Sequence, residues 1–590
     1  MPKNKKAYDY HLLLRLLKYF KPHLGKFILA FVLMLFTTLT TLLLPLANGL
    51  AIDIMTDASL GYDYKVRVIV IGSALLLAII GLAITISYFQ SMMLQKIGQQ
   101  ITDEIRKQVF EHIEKLSIGQ INLTPIGKLV TRATNDPGNI SEMFTTTIVN
   151  LIRNFIMMIS IVIIMFVLDY KMALITMVLI PLIVLSSYLF RTASRKAYRD
   201  VRNNVSDVNA FLNENLSGMK ITQVFNQEDK KIKQFTNINE LLKKSYFKEI
   251  RAFAIYRPLV YFLSMVATVL TIVFGVDAIF NGVLSIGLFV SFYVYVGLFF
   301  EPIQQIAEQF NSLQNGFASA EKIFTLLDTI PSVLDEEDAL TLENIKGEIE
   351  FKNVWFFYLE NEWVLKDVSF KIKPNETIAF VGATGSGKTT ILQLLVRNYD
   401  IQKGEILIDG VNIKKIKRSC LRSFIGQMLQ DVFLFSGTIK ENITLKNEEI
   451  NDEEIEKAVN YVGLDHFLKR FPEKLESVVQ ERGANFSSGE RQLISFARAV
   501  VYKPTIMTLD EATANIDSES EAIIQDSLHK MMNISTMLIV AHRLSTIKHC
   551  DRIYLMQKGE IKEEGNHQEL LKQKGLYYHL YKLQYDQKDN

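Results

Sequence analysis

Residues Thr377-Ile-Ala-Phe-Val-Gly-Ala-Thr-Gly-Ser-Gly-Lys-Thr-Thr390 run from an apolar strand into a glycine-rich turn, and helical spacing follows at Ile391, Leu392, Leu394 and Leu395. Gly382, Gly387, Lys388 and Thr389 fit G-x-x-x-x-G-K-[ST], the pattern whose backbone N–H groups wrap the phosphates of a nucleotide. Each residue type has a task there. Glycines let the backbone come close, a helix N-terminus favours anions, Lys388 reaches the β/γ-phosphates, and the Thr389 hydroxyl can ligate Mg²⁺. The glycines run G-x-x-G-x-G and are followed by Lys-Thr, which sets the stretch apart from a dinucleotide fingerprint and from an ordinary strand-to-helix turn. The phosphate contacts are expected from Gly382, Ala383, Thr384, Gly385, Ser386, Gly387, Lys388, Thr389 and Thr390.

A second constellation is Thr505-Ile-Met-Thr-Leu-Asp-Glu511, an apolar strand ending in two carboxylates. Asp510 is placed to hold Mg²⁺ directly or through water, and Glu511 to polarise the attacking water. Two acids at a strand end also serve as a helix N-cap. With a phosphate loop upstream, phosphoryl transfer is the stronger reading.

The chain that must position these groups has 590 residues, too many for one core. Hydrophobic residues make up 49% of it and concentrate in the first half, while the second half has the composition of a soluble α/β domain. The net charge of +2 exerts no global pull toward nucleic acid. Cys420 and Cys550 both lie in the second half, which argues against a disulfide framework and for a reducing setting.

Residues Tyr8 to His23 set Leu12, Leu13, Leu16, Leu17 and Phe20 against Arg15, Lys18 and Lys21, a basic amphipathic helix expected on the cytoplasmic membrane face. Its charges exclude a cleaved signal peptide. Six candidate spans follow: Phe27 to Ile54, Val66 to Met93, Phe144 to Leu168, Met172 to Phe190, Leu259 to Phe280 and Leu284 to about Glu301. Lys and Arg gather in the long second and fourth links (Arg191, Arg195, Lys196, Arg199, Arg202, Lys230, Lys231, Lys233), so those links face the cytoplasm. They are expected to continue the membrane helices, broken at Asn122–Gly127 and Thr134–Pro137 in one and at Leu216–Met219 in the other. Glu301, before Pro302, is either a cavity-facing carboxylate for cationic substrates or a hydrated residue at the cytosolic boundary.

With these motifs in order, the chain resembles the ATP-binding cassette (ABC) superfamily over nearly its whole length. Phe486-Ser-Ser-Gly-Glu490 stands where the family has Leu-Ser-Gly-Gly-Gln, and Ala541-His-Arg543 stands at the switch position. Gln430 in Met428-Leu-Gln-Asp431 is similar to the glutamine loop, Glu481-Arg-Gly483 to the segment exporters set against their membrane helices, Tyr358 to the adenine-stacking aromatic, and Ala514-Asn-Ile-Asp517 to the loop that meets the partner cassette. Six spans before one cassette resemble a half-size bacterial exporter of the multidrug or lipid type.

The resemblance implies an all-α transmembrane domain with cytosolic helical extensions and an α/β phosphate-loop ATPase domain. The expected divisions are residues 1–25 (amphipathic helix), 26–325 (transmembrane domain), 326–346 (linker), 347–582 (nucleotide-binding domain) and 583–590 (polar tail). It also implies ATP and Mg²⁺ as cofactors, with Mg²⁺ on Thr389, Gln430 and Asp510. His542 would meet the γ-phosphate and Glu511 the water, while Ser487, Ser488, Gly489 and Glu490 would serve the partner's nucleotide. Partners would be a second half-transporter, membrane lipids and a hydrophobic or amphipathic substrate, in the plasma membrane, with no nucleic acid. Ser488 and Glu490 depart from the signature and are expected to weaken the site they serve, by bulk and by negative charge. That fits one member of a heterodimer, or equally a tolerated variant in a homodimer. Rival functions are a soluble ABC ATPase acting on DNA or ribosomes, which the spans oppose, an ATP-gated channel, and uptake.

Overall fold

The computed structural model describes residues 5–510, 518–532, 534–541 and 544–585. The chain divides into two compact units, one of residues 1–114 and 126–329, the other of residues 115–125 and 330–590.

The first unit is helical. Among the described residues six stretches are long and apolar enough to cross a membrane: Leu14–Thr56, Tyr62–Lys115, Ile126–Leu168, Tyr170–Ser217, Glu228–Phe280 and Ile286–Ile303. The helix Tyr62–Lys115 has 54 residues; at 1.5 Å per residue that is about 80 Å, of which a bilayer core takes about 30 Å. The long links are therefore continuations of spans, as their polarity suggested. None of the most apolar window of that helix is buried within the chain, and Leu75 and Leu77 are 63% and 70% exposed. Such a face needs an apolar surrounding. The interior packs around Ile161, Val260, Ala267, Phe292 and Tyr295, all fully buried.

One expected break does not occur. The helix Ile126–Glu142 runs through Pro137 and continues by a π-helical turn, Met143–Ile148, into Val149–Leu168. Proline lacks the N–H that would bond the carbonyl four residues back. That carbonyl, Ala133 O, instead accepts from Arg106 Nε at 3.0 Å. The other two breaks are present: the short helix Ile118–Leu123 ends before Ile126–Glu142 begins, and Ile180–Ser217 ends at Gly218, with the short helix Met219–Val224 following.

The basic amphipathic segment forms the helix Lys5–Phe20. Leu12, Leu16 and Phe20, spaced four apart, are buried; Phe20 lies 3.8 Å between centroids from Phe144, and Arg15 sits 4.2 Å over the Phe324 ring while its Nη1 reaches Asp328 at 2.6 Å. One stripe of this helix thus packs on protein, and Leu14 and Leu17 face outward.

The second unit holds a six-stranded sheet in the order Glu560–Gly565, Arg552–Gln557, Thr377–Val381, Thr536–Val540, Ile506–Asp510, Ile425–Met428, antiparallel only at the first pair. Thr377–Val381 and Thr536–Val540 are buried at every residue, as parallel strands covered on both faces must be. A four-stranded antiparallel sheet built on Ile349–Phe357, Trp363–Ile372 and Lys403–Ile408 adds a second core. Residues 330–346 lie on this unit: Leu340 N donates to Lys415 O at 2.7 Å, and the buried Arg397 reaches Asp335, Asp400 and the Leu334 carbonyl. The short helix Ile118–Leu123, capped by Ser117 and Gln120, belongs here too, with Gly119 against the Tyr399 ring.

Candidate nucleotide-binding site

In an open parallel sheet, ligands meet the carboxyl ends of the strands. Register puts Phe380 opposite Val540, Val540 opposite Asp510, and Leu509 opposite Met428. The loop after Val381, Ala541, Asp510 and the exposed Gln430 therefore leave the same edge of the sheet.

The loop itself is held open by three glycines. Gly382, Gly385 and Gly387 have φ of +151°, +81° and +102°, a region that side chains rarely adopt. A Cβ on Gly382 would lie 2.2 Å from Met556 O, whereas nothing stands within 4 Å of one on Gly385. The backbone is thus pinned against Met556 at Gly382, while Gly385 faces away from the rest of the protein, a shape suited to cradling a ligand. Lys388 begins the helix Lys388–Leu395 and is 5% exposed. Its Nζ donates to Gly382 O at 2.8 Å and Ala383 O at 3.1 Å. Burial pulls its pKa down, and the Asp510 carboxylate opposes that. Ser386 Oγ is buried without a hydrogen-bond partner among the described residues, a costly arrangement unless something polar enters the loop.

Thr389 Oγ1 donates to Asp510 Oδ1 at 3.3 Å. A hydroxyl and a carboxylate in contact at the mouth of a phosphate-shaped loop, with Gln430 on the same edge, form an all-oxygen donor set suited to Mg²⁺. Tyr358, 46% exposed, donates to Thr390 Oγ1 at 3.2 Å, and Phe356 and Tyr399 hold its ring edge-on at 4.8 and 5.0 Å. Burial raises its hydroxyl pKa, so it stays a neutral ring with an open face. Glu511, residues 514–517 and His542 lie outside the described residues.

The signature-like segment sits at the start of the helix Ser488–Val501. Ser487 Oγ accepts from Glu490 N at 3.2 Å, and Ser487 N donates to Glu490 Oε2 at 2.8 Å, a reciprocal capping box. The Glu490 carboxylate is therefore engaged by the backbone of its own helix terminus. Gly489 is buried and Ser487 exposed. Glu481–Gly483 forms a tight turn with Arg482 at φ +58°.

Separately, the first unit has a half-open cavity of about 750 Å³ between the helices Ile180–Ser217 and Ile286–Leu327, with Met158 of a third helix on its wall. Phe299, Ile303, Ile306 and Phe310 line it, and so do Arg195, Arg199 and Arg202. Glu301 is not among the described lining residues; it is exposed and accepts from Gln305 Nε2 at 3.2 Å. The three arginines read, along the chain, only as a sign of membrane orientation. Their spacing of four and three residues already placed them on one helix face.

Fold and site define a multi-pass helical membrane domain joined to a phosphate-loop ATPase domain. Family models agree in both halves: the ABC transporter transmembrane region matches residues 27–303 and the ABC transporter model residues 365–514. The chain is 37% identical to the uncharacterized ABC transporter ATP-binding protein YknV of Bacillus subtilis over 98% of its own length and 96% of the relative's. It is 33% identical to the ATP-dependent lipid A-core flippase of Syntrophus aciditrophicus over 97% and 94%. A solved structure of a bacterial Atm1-family ABC exporter with ATP bound superposes with a TM-score of 0.79, at 24% identity, over 95% of this chain and 98% of that one, a likeness of fold. The chain belongs to the ABC transporter family, as an exporter-type half-transporter in which ATP hydrolysis is coupled to transport. Its nucleotide-binding domain is cytoplasmic, and half-transporters of this kind work as dimers.

Proposed function

We propose that the chain exports a hydrophobic or amphipathic substrate, such as a drug or lipid, across the plasma membrane or flips it from the inner to the outer leaflet. The contact between Thr389 and Asp510 beside an open phosphate cradle, in a chain with six span-capable helices, carries that proposal. In this scheme residues 1–25, 26–325, 326–346, 347–582 and 583–590 are the amphipathic helix, transmembrane domain, linker, nucleotide-binding domain and tail.

Lys388 and the loop N–H groups would neutralise phosphate charge, Tyr358 would stack on adenine, and Thr389, Asp510 and Gln430 would hold Mg²⁺. Bound there, the metal supplies charge neutralisation at the phosphates. Glu511 would orient and polarise the attacking water, and His542 would contact the γ-phosphate. Ser487, Ser488, Gly489 and Glu490 would complete the nucleotide site of a second half-transporter, so that ATP closes the pair and hydrolysis reopens it. Differential binding of several kcal/mol between closed and open states is needed to drive that cycle. The capping box favours the variant signature being tolerated, since Glu490 directs its charge to Ser487 N; a heterodimer with a differently composed partner is the alternative.

The test is Glu511→Gln in purified full-length protein. Phosphate-binding groups are untouched, so nucleotide binding persists, while loss of a water-polarising carboxylate lowers turnover by about 10²–10⁴. Hydrolysis at the wild-type rate would remove Glu511 from the mechanism.

A further inference from the structure

We infer that the cavity of the membrane domain takes an amphiphile with an anionic head, its tail against the apolar end and its phosphate or carboxylate among Arg195, Arg199 and Arg202. The inference deepens the export proposal only in treating the occupant as the transported substrate.

The cavity has a direction. On the helix Ile180–Ser217, Ile180, Ile183 and Val184 line one end and the three arginines the other. At 1.5 Å per residue, Ile180 lies about 22 Å from Arg195 along the axis, and the arginines themselves span about 10 Å. On the opposite wall the described lining residues between Phe299 and Phe310 are apolar, and Gln314 and Asn315 follow them. The void thus grades from oily to basic along one axis, as the long axis of a lipid-like molecule does.

Among the described residues the charge has no internal counterweight. No Asp or Glu occurs among the described lining residues, and none of the three arginines is ion-paired among the described residues. The nearest acid along the helix, Asp200, is held by Lys248 at 3.6 Å. Three like charges on one helix face repel one another. An anion between them removes that repulsion, and planar guanidinium groups match phosphate and carboxylate oxygens in pairs. A cationic amphiphile of the same tail gains the apolar contact and meets the same three charges as repulsion. A basic stripe that merely orients the helix in the membrane needs no cavity, and Lys196, on the same helix, lies off the lining.

The experiment is equilibrium binding of radiolabelled dodecyl phosphate to the full-length protein in phosphatidylcholine nanodiscs, without ATP. Dodecyltrimethylammonium, dodecyl maltoside and inorganic phosphate serve as competitors. We expect saturable binding that neither the cationic nor the head-only competitor displaces. Arg195→Gln/Arg199→Gln/Arg202→Gln should weaken it by at least about tenfold, the size of one lost charge-assisted hydrogen bond. Arg199→Lys should retain most affinity, Arg199→Gln alone should lose a part, and Lys196→Gln should bind as wild type. Equal displacement by the cationic amphiphile, equal competition by inorganic phosphate, or equal loss in Lys196→Gln would each overturn the inference. Hydrolysis is measured on the same sample: an inactive ATPase that still binds dodecyl phosphate would sink the export proposal and leave this one standing.

Discussion

Lys388 is a cation buried among carbonyls of its own loop, and its position makes sense only beside a group more negative than those carbonyls. Removing it releases the Gly382 and Ala383 carbonyls but leaves the three positive-φ glycines that shape the turn, and the strand and helix on either side keep their buried residues. Lys388→Ala is therefore expected to fold and to lose nucleotide affinity by roughly 10–100-fold, the worth of one charge-assisted contact of about 1.5–3 kcal/mol. Equilibrium binding of a fluorescent ATP analogue reads this directly. Unchanged binding would reduce the loop to a structural turn. Glu490 teaches a different lesson at the same scale. Ser487-x-x-Glu490 is a capping-box pattern readable in the chain, yet departure from the family signature drew attention to its charge alone; the structure spends that carboxylate on the helix terminus.

Among elements, the short helix Ile118–Leu123 shows how one glycine can tie a surface segment to the nucleotide site. A Cβ at Gly119 would stand 2.5 Å from Tyr399 Cε1, and Tyr399 packs edge-on against Tyr358, whose hydroxyl holds Thr390. Gly119→Val must push the Tyr399 ring from its rotamer, at about 0.5–1.5 kcal/mol, and so disturb Tyr358. The expected result is a several-fold higher KM for ATP with the domain still folded, measured by steady-state ATPase assay; an unaltered KM would show that the aromatic pair does not transmit the change. Local patterns were legible in the chain: the phosphate loop, the acidic strand end and the six apolar runs each depend on neighbours in sequence. What depended on distant partners was not. Pro137 reads as a break, and Arg106, about thirty residues away, rescues its orphaned carbonyl. Arg195, Arg199 and Arg202 read as orientation, since the wall that makes them a site comes from Phe299 to Phe310, about a hundred residues on.

At the scale of the whole molecule, the question is what one chain can complete alone. It carries a phosphate loop with its Thr389–Asp510 contact, and a signature segment that faces outward at a helix start, with Ser487 exposed. In a head-to-tail pair each loop would work against the other chain's signature, so two copies of this chain give two equal sites, both with Ser488 and Glu490. The structure favours competence of that variant: the capping box fixes the helix start, and Glu490 is directed at Ser487 N. The chain purified alone should then form a dimer with about two equivalent nucleotide sites and steady ATP hydrolysis. Light scattering, nucleotide stoichiometry and turnover on one preparation decide it. A monomer, or a dimer that binds ATP without turnover until a second half-transporter is added, would show that Ser488 and Glu490 mark one member of an unequal pair.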